Sequence, residues 1–115
     1  MTTESRVRIA EVIDYLSGRL RAKGLHVEKL VLFGSHARGR ADDESDIDLA
    51  VVSGDFRNQD IFARVELTRE AEMETVLKFI VPMDLVLMTL EKYQSRTSPV
   101  AAYAREGKVI YQAQQ

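Results

Sequence analysis

Three short apolar runs limit what this chain can fold into: Lys29–Phe33, Ile47–Val52 and Val81–Met88. Each is short and is bounded by Gly, Ser or Pro, which is the pattern of strands. Pro82 stands at the mouth of the third, where a missing N–H is tolerable. Longer segments of helical character separate them. Ile9, Ile13, Leu16 and Leu20 recur at helical spacing between charged residues and predict an amphipathic helix over 4–23, stopped by Gly24. Residues 58–79 hold no Gly or Pro and predict a second helix. Its apolar residues Ile61, Val65, Met73, Val76, Leu77 and Ile80 form an imperfect stripe, and a break is expected near Glu70. A short helix is expected after Thr89. Ser98-Pro99, a cap residue followed by proline at the first helical position, opens another that ends at Gly107. Lys108–Tyr111 reads as an edge strand and Gln112–Gln115 as a fraying end. The 115 residues show no repeat, low-complexity stretch or linker. The expectation is one α/β domain over 1–115, a small mixed sheet flanked by helices.

Composition excludes several function classes. The chain has no cysteine, so disulfides and thiolate metal sites are out and a reducing cytosol fits. No run has the length of a membrane span, and MTTESRVR lacks an apolar signal core, so a cytoplasmic location is expected. The net charge of -2 argues against a strong sequence-independent grip on nucleic acid. Arg19, Arg21 and Lys23 read as a solvated helix end whose cations complement the dipole. Glu66, Glu70, Glu72 and Glu74 read as a wet helix face, and Asp42-Asp-Glu44 as a solvated loop. Tyr93, Tyr103 and Tyr111 read as partly buried packing residues. His26 reads as a surface residue, and no Cys/His set has zinc spacing.

The residues that carry chemistry lie between Gly34 and Asp84. Side chains two apart in a strand share a face, so Asp46 and Asp48 project together while Ile47, Leu49 and Val51 cover the other side. Asp84 interrupts the third apolar run, with Met83, Leu85 and Leu87 alternating away from it. Adjacent strands would bring three carboxylates to one spot. Such a group stays ionised only beside positive charge, and hard oxygen ligands of this kind suit Mg²⁺ or Mn²⁺. Asp is depleted in strands, which weakens the alternative of a merely exposed polar face. Gly34 lets the backbone turn sharply and approach a ligand. Ser35-His-Ala-Arg38 can begin a helical turn whose N–H groups face an anion; Ser35 adds a hydroxyl and Arg38 a positive charge. His36 could touch phosphate or nucleobase. A nucleophilic triad around Ser35 lacks the usual geometry, since His36 is its sequence neighbour.

Gly34-Ser35, ten intervening residues and Asp46-Ile-Asp48 make up the motif of a known family. The chain resembles the minimal nucleotidyltransferases (MNT) of the DNA polymerase β-like superfamily. The fuller forms Gly34-Ser-His-Ala-Arg-Gly39 and Ser45-Asp-Ile-Asp-Leu49 also match, and Asp84 in Pro82-Met-Asp-Leu-Val86 fills the slot of the third carboxylate. The resemblance implies a nucleotidyltransferase fold and a metal-dependent transfer of AMP from ATP. Two divalent ions would be held by Asp46, Asp48 and Asp84. Gly34, Ser35 and Arg38 would hold the outgoing phosphates. The resemblance further implies an antitoxin working beside a HEPN-type toxin and modifying a tyrosine of it. Two alternatives stay open: a catalytically silent antitoxin that neutralises by binding, and a transferase acting on a small molecule such as an aminoglycoside. No residue offers a pattern that reads the nucleotide base.

Overall fold

The computed structural model describes residues 3–37 and 46–113. Helix α1 (Thr3–Ala22) leads into β1 (Val27–Phe33), which ends in the single turn α2 (Gly34–Ala37). Strand β2 (Ile47–Ser53) is followed by a 3-10 turn (Gly54–Phe56), helix α3 (Ile61–Phe79) and β3 (Met83–Met88). Two short helices, α4 (Leu90–Tyr93) and α5 (Pro99–Arg105), precede β4 (Lys108–Gln112). Side chains cap the N-termini of α3, α4 and α5, and the Ser98 cap is the one expected from the sequence. Asp60 accepts from the Ala63 N–H, Thr89 from Lys92 and Ser98 from Ala101, with Pro99 in the first turn of α5.

The four strands form one mixed sheet in the order β3-β2-β1-β4. β1 runs antiparallel to β2 and to β4, whereas β2 and β3 are parallel across the α3 connection. The sheet is covered on both faces. Leu30 and Leu32 of β1 and Leu49 and Val51 of β2 pack with Val12, Ile13, Leu16 and Leu20 of α1 and Ala71 of α3. The alternate residues Val31, Ala50, Val52 and Met88 pack with Tyr93 and Ala104 on the other side. The period-two alternation of the strands thus sorts each run between two cores.

Helix α3 departs from the sequence reading in two ways. It runs unbroken through Glu70. Its apolar stripe meets the core only at Val76: the buried residues are Thr68, Ala71 and Thr75, while Ile61, Val65, Met73, Leu77 and Ile80 are exposed. The small side chains let α3 pack closely. Thr75 is satisfied inside the helix, donating to the Ala71 carbonyl at 2.7 Å. The helix ends at Ile80 in the left-handed conformation, φ 52°, with its N–H on the Val76 carbonyl at 2.8 Å. That conformation costs a β-branched residue about 1–2 kcal/mol, and glycine is the usual occupant.

The basic cluster at the end of α1 ties helix to helix. Arg19 Nε lies 2.6 Å from Glu74 Oε2, and Lys23 Nζ lies 2.9 Å from both Glu70 and Glu74. Arg21 stacks over Tyr111, 5.3 Å from the ring centre. The wet face expected over 66–74 is therefore divided, because Glu74 is committed to α1 and Glu72 is half-buried. Hydrogen bonds from Lys23, then Arg19, hold the Glu74 carboxyl below its ordinary range. Its contribution to stability is then fully present above the ordinary glutamate pKa and disappears as the pH falls through the lowered folded value. Glu74→Gln is expected to lower the melting temperature slightly at neutral pH. The difference should close in acid, which a pH series of thermal melts would read.

Candidate active site

The Gly-Ser turn and the aspartates meet at one end of the sheet. β1 delivers Phe33 opposite Asp48 in antiparallel register, and the chain turns immediately after it at Gly34. Gly34 has φ +72°, a conformation that favours glycine. It also abuts Asp48: a Cβ at position 34 would collide with Oδ2 and lie 3.1 Å from Cγ and 3.3 Å from the Asp48 Cβ. Only glycine lets the turn and this carboxylate share the space.

Asp48 and Asp84 are direct partners in the parallel pairing of β2 and β3. Both lie on the face that carries Ala50, Val52, Val86 and Met88, opposite the α1–α3 core. The Ile47 N–H donates to the Pro82 carbonyl at 3.0 Å, which pins the mouths of the two strands. Asp46 precedes β2 and is exposed, as is Asp84 on the edge strand, whereas Asp48 is half-buried. Burial pushes the Asp48 carboxyl above its ordinary value, and the negative charges of Asp84 and then Asp46 push it further; His36 opposes the shift. All three carboxylates are therefore felt at one point.

Two residues join the site that the sequence reading had placed elsewhere or left undecided. His36 is buried within α2, close enough to Asp48 to act against its upward shift. Glu72, read as part of a wet face, is half-buried on the flank of α3; burial first and Asp84 second raise its carboxyl above the ordinary value. Glu72 lies twelve residues from Asp84 in sequence and on another element, so only the packing of α3 beside the edge strand reveals it. Ser35 is exposed on α2 next to Gly34. Arg38 and the acidic run Asp42-Asp-Glu44 lie outside the described residues.

Among the described residues, no three acidic or histidine side chains are close enough to form a ready-made metal cage. The donor set nonetheless fits a divalent cation. Its members are hard carboxylate oxygens, and Asp48 is held against two like charges that a cation would neutralise. Arg64 and Arg57 are used elsewhere: Arg64 Nε donates to the Gln59 carbonyl at 2.9 Å, and Arg57 pairs with Glu91. His26 is a surface residue, with Nδ1 3.1 Å from Asp55.

The nucleotidyltransferase domain family matches residues 13–109 of this chain. The chain belongs to that family and is a nucleotidyltransferase. No curated protein matches it. Among solved structures, a candidate nucleotidyltransferase from Sulfolobus solfataricus shares the fold at a TM-score of 0.70 and 19% identity, over 95% of this chain and 85% of that one. A chain of a toxin–antitoxin complex solved with AMP-PNP is 25% identical at a TM-score of 0.63, over 91% of this chain and 74% of that one. The complex of a tri-AMPylated Shewanella oneidensis HEPN toxin with an MNT antitoxin matches in fold at a TM-score of 0.52 and 23% identity, over 94% and 72%. The Gly34-Ser35 to Asp48 motif lies within the residues that the family matches. Among the described residues, no helix is long and apolar enough to cross a membrane.

Proposed function

We propose that this chain transfers AMP from ATP to a hydroxyl, a tyrosine, of a HEPN-type toxin and thereby acts as its antitoxin. The observation that carries the reading is the pairing of Asp48 with Asp84 on one face, with Gly34 pressed against Asp48. The 25% identical chain from a toxin–antitoxin complex that holds AMP-PNP supports the nucleotide and the partner class.

Asp46, Asp48 and Asp84 would hold Mg²⁺ or Mn²⁺, two ions in all. When bound, such ions neutralise triphosphate charge and lower the pKa of an acceptor hydroxyl. The backbone N–H groups of the turn at Gly34 and the Ser35 hydroxyl hold the departing phosphates, and Arg38 adds positive charge there. The acceptor oxygen forms a bond to the α-phosphorus, the bond from that phosphorus to the pyrophosphate oxygen breaks, and the acceptor loses its proton. Asp84, exposed on the edge strand, helps take that proton. Catalysis is then positioning and charge neutralisation without a covalent enzyme intermediate. The second half of the site comes from the acceptor protein.

The test is label transfer. The chain is incubated with α-labelled ATP and Mg²⁺, with and without the helical protein of the neighbouring reading frame. Label should appear on the partner and vanish in Asp46→Asn. Asp84→Asn should reduce transfer about a hundredfold or more while changing ATP affinity less than tenfold. Neutralisation of the partner that survives Asp46→Asn without any label would replace this reading with occlusion. Label on an added aminoglycoside would move the acceptor to a small molecule.

A further inference from the structure

The outer face of α3 carries an apolar stripe that the chain does not bury. Phe62 is 79% exposed, Leu77 68% and Ile80 77%, with Val65 and Met73 exposed between them. Phe62, Val65, Met73, Leu77 and Ile80 fall on one side of the helix at helical spacing, and the charged residues among them, Glu66 and Arg69, pair with each other at 3.5 Å. Together they leave bare an apolar area on the order of the largest patch, roughly 300–600 Å², that a monomer usually shows, short of the roughly 800 Å² per side of a stable protein interface.

Two further observations bear on what covers it. The stripe ends at Ile80, a β-branched residue held at φ 52° yet packed on little of its own chain. Neither local conformation nor burial within the fold rewards isoleucine there, so its apolar surface has use only against another molecule. The stripe also ends beside the reaction centre: Ile80 is four residues before Asp84, at most about 14 Å of extended chain. Glu72, on the flank of the same helix, is close enough to Asp84 for their charges to interact.

We infer that the stripe Phe62–Ile80 of α3 is the docking surface for the helical toxin partner, which packs an apolar helix along it and so brings its acceptor hydroxyl to Asp84. This rests on the partner assigned under the proposed function. A second copy of this chain could cover the same area, but it would set two identical sites back to back and bring neither an acceptor. The position beside the carboxylates favours the acceptor protein.

Binding of the partner in the absence of nucleotide, measured by calorimetry, tests this separately from transfer. Met73→Asp and Leu77→Asp should each weaken partner binding at least tenfold and leave ATP affinity unchanged. Ile80→Gly relieves the left-handed strain, so it should keep or raise the melting temperature while weakening partner binding. Val109→Asp, an exposed apolar position on β4, should leave binding intact. Undiminished binding by all three α3 variants would overturn the inference even where label transfer is normal. So would α3 substitutions that turn a self-associated chain into a monomer in sedimentation without weakening partner binding. Loss of binding in the α3 variants, with no label transferred by the wild-type chain, would keep the docking surface and remove the transfer reading. Failure of the wild-type chain to bind the partner would overturn the docking surface and leave transfer to be judged on small acceptors.

Discussion

Asp48→Asn is expected to lower nucleotidyl transfer by about a thousandfold or more and, at the same time, to raise the melting temperature of the ion-free chain. The two effects have one cause. Asp48 is partly removed from water at the start of β2, faces Asp84 across the parallel pairing, and feels Asp46 two residues away. Each influence makes its ionised form costly until a cation arrives. In the ion-free fold the carboxyl therefore holds its proton more tightly than in the unfolded chain. The penalty is absent below the unfolded pKa and complete above the raised folded one. An uncharged amide of similar shape removes it, so the variant melts higher than wild type at neutral pH. The gain should fade as the pH falls through the carboxylate range. Added Mg²⁺ should stabilise the wild type by mass action and the variant much less. A variant that melts lower than wild type at neutral pH, or keeps a tenth of the activity, would show that Asp48 is an ordinary surface carboxylate.

Gly34→Ala is expected to be the most damaging substitution in the site for the fold itself. The new Cβ enters a φ +72° conformation and meets the Asp48 carboxylate, so the turn or the aspartate must move. Left-handed strain and overpacking together cost about 2–4 kcal/mol. Transfer should be lost even at temperatures where the variant is folded, because the aspartate cannot keep both its place and its partner strand. A double-mutant cycle with Asp48→Ala separates the two costs. Removing the carboxylate should return part of the stability of Gly34→Ala and none of the activity. Strictly additive losses would mean that the turn and the aspartate do not share space.

Most elements could be read from local signals. Gly24, Asp60, Thr89, Ser98-Pro99 and Gly107 punctuate the chain with turn and cap chemistry, which acts within a few residues. The same locality made the face of Asp48 legible, since strand alternation is a property of the backbone, whereas Asp46 stands just before the strand. The orientation of α3 was not legible. Its periodicity fits an amphipathic helix, and periodicity does not say which neighbour the apolar side meets. Thr68, Ala71 and Thr75 were inconspicuous as core residues because they bury little apolar area and serve by being small.

By itself the sequence determined the order of helices and strands, the sharp turn at Gly34 and the sheet face on which Asp48 lies, because each depends on dihedral preference and side-chain spacing within a short window. Tertiary structure alone decided that Asp84 stands opposite Asp48, that Glu72 comes within reach of Asp84, and that the apolar side of α3 is left outward. Those facts depend on strand register and on which helix face packs closest, and both are set by contacts between residues far apart in the chain.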